Sequence, residues 1–385
     1  VFDLLPLGWL QLKHQKLRLF SAILGIAFAV ILIFMQLEFR EALFVSAVRY
    51  HSALDYDMVL VSPKTEYLIN AKEFSRNRLY QVQGIAGVSA VTPVYSRLAH
   101  WRNPVDRSYS RGIFVLGFDP ADRGFSRVLT PQSIEQIKIP DQIVFDRKGR
   151  EEYGPVAELV EANGSTSTEV NSREVIVTSL YSIGTSFGLD GGIITSDLNF
   201  LRMFPRDKKS AITVGLIHLE PGQDLQEVQE RIRRSIPADV RVLTREEFKD
   251  LEIDYWNTTT PIGYVFAFGA IIGVIVGFII VYQILFADVQ DHLPEYATLK
   301  AMGYTQGYLR NVVLQQSIIL AVLGFLPGLG LSILLFDKTA EATRLPMEMN
   351  RESILQIFTL TLVMCAGSGL LTLRKLRGID PAEVF

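Results

Sequence analysis

The chain has 385 residues, 49% of them apolar and 21% charged, with a formal net charge of −3. This is long for one soluble domain, and so small a net charge argues for neither nucleic acid nor an acidic macromolecule as partner. The one cysteine, Cys365, excludes an intrachain disulfide.

In chain order, residues 1–18 come first. Leu4, Leu5, Leu7, Trp9, Leu10 and Leu12 interleave with Lys13, Lys16 and Arg18, the pattern of an amphipathic lead-in at a cytoplasmic membrane surface. Four apolar stretches follow along the chain, at 19–37, 262–287, 312–336 and 354–373. Each is long enough for a bilayer, which takes roughly 20 apolar residues, and none holds Asp, Glu, Lys, Arg or His. A soluble core helix rarely runs so far without a charge. The first run exceeds the about 7–15 apolar residues of a cleavable signal, and no small-residue cleavage site follows it, so it reads as an anchor. The reading is a membrane protein with transmembrane helices at 19–39, 262–287, 312–336 and 354–373. Arg374, Lys375 and Arg377 in the tail 374–385 match the basic lead-in, which puts both termini on the cytoplasmic side of a multi-pass inner (cytoplasmic) membrane protein. The loop 337–353 and the long stretch 40–261 then lie outside.

Residues 40–261 have globular composition. Strand-like runs occur at 58–62, 88–95, 112–118, 143–145, 174–179, 212–219 and 240–243, and helical patterns at 73–83 and 225–235. Their order predicts an α/β module split between 55–118 and 207–250, with 119–206 inserted as a further subdomain. Thr244 and Glu247 fit a capping box, and the helix they start is expected to run on into the second span. The apolar run at 262–287 makes about 39 Å of helix against a hydrocarbon core of about 30 Å, so it must tilt or protrude.

The segment 288–311 is polar and lies between two spans. Asp291 is placed to cap a short helix with Pro294 in its first turn, and Glu295 sits near its positive end. Leu293, Tyr296, Leu299, Ala301 and Met302 give it apolar surface, Gly303 stops it, and Thr305 is placed to cap the next helix. On its pattern alone the segment is either a plain connecting loop or a short helix that docks a partner. Gly269, Gly273 and Gly277 repeat every fourth residue in the second span. They are either a close-packing row, within the chain or across a homodimer, or the ordinary glycine content of membrane helices. Catalytic and metal motifs are missing: there is no phosphate-binding Gly-rich loop with Lys, no H-E-x-x-H and no Cys/His metal spacing. Uncharged spans also argue against a proton- or ion-coupled carrier.

One span, a large external domain and three further spans resemble the MacB/FtsX/LolC group of ABC-transporter membrane subunits. Glu295-Tyr296-Ala297-Thr298-Leu299-Lys300-Ala301-Met302-Gly303-Tyr304 is similar to the group's "RE-x-G-x-L-K-A-L-G-A" segment. Residues 377–383, R-G-I-D-P-A-E, are similar to its C-terminal motif, and 12–25 to its first-span entry. Pro294 and Tyr304 depart from the pattern, where a basic and a small residue are usual. The lengths and residues 50–63 resemble the cyanobacterial DevC-type exporter subunits most.

The resemblance implies an external domain of Porter and Sabre type in the periplasm. It makes 288–311 a coupling segment for a separate ABC ATPase, through Glu295, Tyr296, Leu299, Lys300, Ala301, Met302 and Gly303. It implies no catalytic or metal site and no cofactor in this chain, ATP and Mg belonging to the ATPase. Implied partners are a second copy, a periplasmic membrane-fusion adaptor, a TolC-like outer-membrane channel and membrane lipids. The implied function is ATP-driven tripartite export of a lipid or glycolipid by mechanotransmission. The alternatives are an FtsX-like regulator of a periplasmic cell-wall hydrolase, a lipoprotein-releasing subunit, and a membrane-anchored sensor or enzyme with no ATPase.

Overall fold

A computed structural model describes residues 7–122, 124–343, 345 and 349–376. The chain forms two units, one of residues 43–260 and one that joins the residues up to 42 with those from 261 onward.

Among the described residues of the first of these, eleven strands alternate with short helices. They are β1 (Met58–Val61), β2 (Phe74–Ser75), β3 (Val88–Arg102), β4 (Ser110–Phe118), β5 (Gln142–Asp146), β6 (Thr166–Val170), β7 (Arg173–Tyr181), β8 (Gly192–Ser196), β9 (Ala211–Ile212), β10 (Val214–Leu219) and β11 (Arg241–Thr244). Nine make one mixed sheet in the order β11-β1-β10-β3-β4-β8-β5-β7-β6, while β2 pairs with β9. The far end of β3 also pairs with β6, Trp101 opposite Val170 and Arg102 opposite Glu169, which closes β3-β4-β8-β5-β7-β6 into a ring. The insertion 119–206 therefore adds strands to the same sheet.

Period-2 alternation sorts the side chains to two cores. Met58 and Leu60 of β1 join one with Trp101, Val115 and Phe145. Val59 and Val61 join the other with Phe114, Leu116 and Phe118. Both faces are covered, so these strands read as continuous apolar runs. Helices Arg76–Gln83, Val156–Asn163, Asp197–Met203 and Leu225–Ser235 cover the first face through residues such as Leu79, Val160, Phe200 and Val228. Helix Arg245–Asp254 covers the other through Phe248. Its start is fixed by a reciprocal capping box between Thr244 and Glu247.

That helix does not run on into the second span. It passes into a π-turn at Tyr255–Thr259, and Thr260 is extended (φ −105°, ψ 157°) before Pro261. A residue preceding proline is pushed out of the helical region, so the helix ends there and Ile262 begins a new one.

The second unit is helical. Leu7–His14 leads into Lys16–Ala47, followed after residue 260 by Ile262–Asp291, Leu293–Ala301, Gln306–Thr343 and Arg351–Leu376. Four of these are long and apolar enough to cross a membrane. They exceed the apolar stretches read from sequence, because charged ends continue the helix past them. The third takes in residues 337–343 of the loop expected at 337–353. Two carboxylates that stood at the margins of the apolar stretches, Glu38 and Asp288, are buried in this unit. The bundle is therefore not free of buried ionisable side chains.

Candidate functional site

The connection between the second and third long helices is shorter than the polar segment 288–311. Residues 288–291 and 306–311 belong to the long helices, which leaves 292–305, with Leu293–Ala301 helical. The capping residue differs from the expected Asp291. Asp291 ends the second long helix and pairs with Arg18 at 2.7 Å. His292 takes the position before the short helix, and Tyr296 N–H donates to its carbonyl.

The root of the short helix is held by polar contacts that the sequence did not reveal. The side chain of Asp288 is 1% exposed. Gln316 Nε2 donates to Asp288 Oδ2 at 2.8 Å, across from the third long helix. His292 Nδ1 lies 2.8 Å from the Asp288 carbonyl and 3.6 Å from Asp288 Oδ1. Arg18, Asp288, Asp291, His292 and Gln316 thus tie three long helices together where the short one begins. A buried carboxylate is costly without partners, so these contacts favour one arrangement over looser ones.

Of the predicted docking residues, Tyr296 is an anchor. It is 5% exposed and clusters with Val289 and Val313, with Leu373 packed alongside. It therefore points into the bundle rather than toward a partner. Glu295 is exposed, and Met302 is 63% exposed. Gly303 has φ +93°, and a Cβ there would meet nothing within 4 Å, so backbone conformation rather than space demands glycine. Thr305 immediately precedes the third long helix. The side chains of Leu299, Lys300 and Ala301 lie outside the described residues, as does the motif at 377–383.

The glycine row of the second long helix packs within the chain. A methyl group at Gly277 would meet Met364 Sδ at 2.6 Å and Ala29 Cβ at 2.7 Å. One at Gly273 would meet Ile33 at 3.0 Å, and Gly269 lies against Gln36. The row is a contact surface for the first and fourth long helices of the same chain.

Among the described residues no three His, Cys, Asp or Glu side chains converge to hold a metal. In the external unit a polar recess of about 170 Å³ lies between the β3–β4 and β6–β7 turns, lined by residues including Arg102, Arg107, Glu169 and Glu174.

Residues 267–381 match the family model described as FtsX-like permease C-terminal. A search of curated proteins returns no match. Among solved structures, the periplasmic region of MacB from Actinobacillus actinomycetemcomitans aligns at 12% identity and TM-score 0.36, covering 54% of this chain and 96% of that one. The extracellular domain of the noncanonic ABC-type transporter YknZ from Gram-positive bacteria aligns at 12% identity and TM-score 0.35, covering 49% and 100%.

Proposed function

We propose that this chain, whose residues 267–381 match an FtsX-like permease C-terminal domain, is the membrane subunit of an ATP-driven export system and that 292–305 docks the ATPase. Permease subunits of this type are generally non-catalytic, and ATP and Mg belong to the partner. The observation that carries the reading is the short helix Leu293–Ala301, braced from inside by Tyr296 and fixed at its root by the Asp288–Gln316 contact. Glu295 stands on its exposed surface, and Met302 is exposed in the turn just after it. A helix braced in this way can pass a push to two long helices at once instead of bending under it.

The mechanism we infer is mechanical. Two copies of the chain sit in the inner membrane, both termini cytoplasmic and residues 43–260 periplasmic. Closure of the ATPases on ATP moves the short helices, and the first and second long helices carry that movement outward. Cargo is taken up outside the membrane, so no charged path through the bilayer is needed. The external unit meets a periplasmic adaptor that leads to a TolC-like channel, and a lipid or glycolipid is the proposed cargo.

The test is affinity purification of the full chain from its native membrane, with co-purifying chains identified by mass spectrometry, beside a Met302→Asp variant. An ATPase and an adaptor with the wild type, and loss of the ATPase alone with the variant, are expected. An ATPase with a cell-wall hydrolase favours the regulator, and one with a lipid-accepting chaperone favours lipoprotein release. Absence of any ATPase sinks the docking assignment.

A further inference from the structure

Two stretches of the external unit adjoin long helices in sequence: residues 49–53 follow Lys16–Ala47, and 245–259 precede Ile262–Asp291. They meet at a buried polar contact. His51 Nε2 donates to Glu252 Oε2 at 3.1 Å, and the two side chains are 0% and 2% exposed. The same oxygen of Glu252 accepts from the Leu68 backbone N–H at 2.8 Å, and Oε1 accepts from Trp256 Nε1 at 3.0 Å. His51 also stands edge-on to Phe248 with ring centroids 4.4 Å apart. The residues beside it are fixed as well. Arg49 donates to the Thr185 carbonyl at 2.8 Å, and the Tyr50 ring packs edge-on against Phe114.

A buried carboxylate with three donors is an unusual choice for a site that apolar side chains could fill. Apolar replacements for such a pair are often as stable or more so, whereas loss of one partner is costly. What the polar pair adds is direction: Glu252 is satisfied only while the loop at Leu68, the helix 245–254, the turn at Trp256 and the segment 49–53 keep one arrangement. The turn that carries Trp256 is π-helical and lies just before the break at Thr260. Such turns recur at functional sites.

We infer that the His51–Glu252 contact is a tie that makes the two connecting stretches move as one body. Its part in force transmission rests on the permease reading; its existence does not. The tie is tested on the full chain in nanodiscs, with the single cysteine removed by Cys365→Ser. Spin labels are placed at Ser52 and Thr258, both exposed and on opposite sides of the contact. The intact pair is expected to give one narrow distance. His51→Leu is expected to lose the narrow peak while the far-ultraviolet signal of the sheet persists. His51→Gln, whose amide can still donate to Glu252, is expected to restore the peak. A narrow distance in the leucine variant overturns the tie, because packing alone would then hold the stretches. Loss of the sheet together with the peak overturns it too, since the pair would then be core rather than joint. A broad distance in both variants with the sheet intact overturns the role of the donor. If no ATPase co-purifies, the export reading fails and this distance result still stands.

Discussion

The two units of this chain both bury large apolar side chains, but the second long helix of the helical unit adds an inward row of glycine. In residues 43–260 the largest fully buried side chains are rings such as Trp101, Tyr153, Phe114 and Phe200. In the helical unit the second long helix turns Gly273 and Gly277 inward and leaves Ile271, Ile275 and Ile279 exposed. Water drives apolar area inward in the first case. Lipid offers no such drive, so close approach of backbones has to hold the helices instead. One polypeptide thus meets two solvents, and the inward glycine row of the second long helix is the packing that lipid favours.

The largest effect that sharpens this contrast is at Trp101. Its ring lies 5.1 Å from Phe145, its Nε1 donates to the Tyr153 carbonyl at 3.1 Å, and its backbone helps close the strand ring. Trp101→Ala should destabilise the external unit by about 3–5 kcal/mol. A chemical-denaturation curve followed by near-ultraviolet circular dichroism would show it, and an unmoved midpoint would contradict the packing. At the glycine row of the second long helix, enlargement should hurt. Gly277→Leu forces side-chain atoms into Met364 and Ala29, with an expected cost of about 1–3 kcal/mol. Ile275→Ala, on the exposed face, should fall within about 0.5 kcal/mol of wild type. If Ile275→Ala proved the costlier of the two in detergent melts, the contrast would break.

What could be read from sequence follows the same division. The long helices were legible because twenty uncharged residues have few other uses, although charged ends such as Glu38 and Asp288 hid their true extent. The strand-like runs at 58–62, 88–95 and 112–118 coincide with β1, β3 and β4 because both faces are apolar. β6 and β8 were not legible. T-S-T-E-V looks like a loop, and β8 opens with Gly192, whose lack of a side chain is required by the hydroxyls of Tyr50 and Tyr181 pressed against it. The pairing of Trp101 with Val170 that closes the ring is a long-range contact that local pattern does not carry. At the candidate site the short helix was legible from Pro294 and Gly303. The inward turn of Tyr296 was not, since a helix this short with apolar residues on several sides does not declare which side is buried. The Asp288–Gln316 contact joins two helices and has no local signature.

A further small effect is electrostatic and belongs to the external unit alone. Asp122 lies in the turn after β4, where its N–H donates to the Asp119 carbonyl at 2.9 Å. Burial pushes its carboxyl up to about 6; the nearby Asp119 charge adds to this and Arg76 opposes it. The folded state therefore disfavours the charged form. Below a pH of about 4 the group is protonated whether folded or not, and it costs nothing. The cost appears as pH rises from there and is complete above about 6. Asp122→Asn removes it, so the variant should melt above wild type at pH 7.5, and the gap should close by pH 4. Screening of a half-exposed group keeps the effect small. The shift corresponding to ~1 kcal/mol in a domain of this size, about 2–4 °C, is its upper limit. A gap that stayed constant across that range would trace to the amide's own contacts rather than to charge. A gap that widened toward low pH would mean that Asp122 is held charged, and the turn would then have to supply it with a partner.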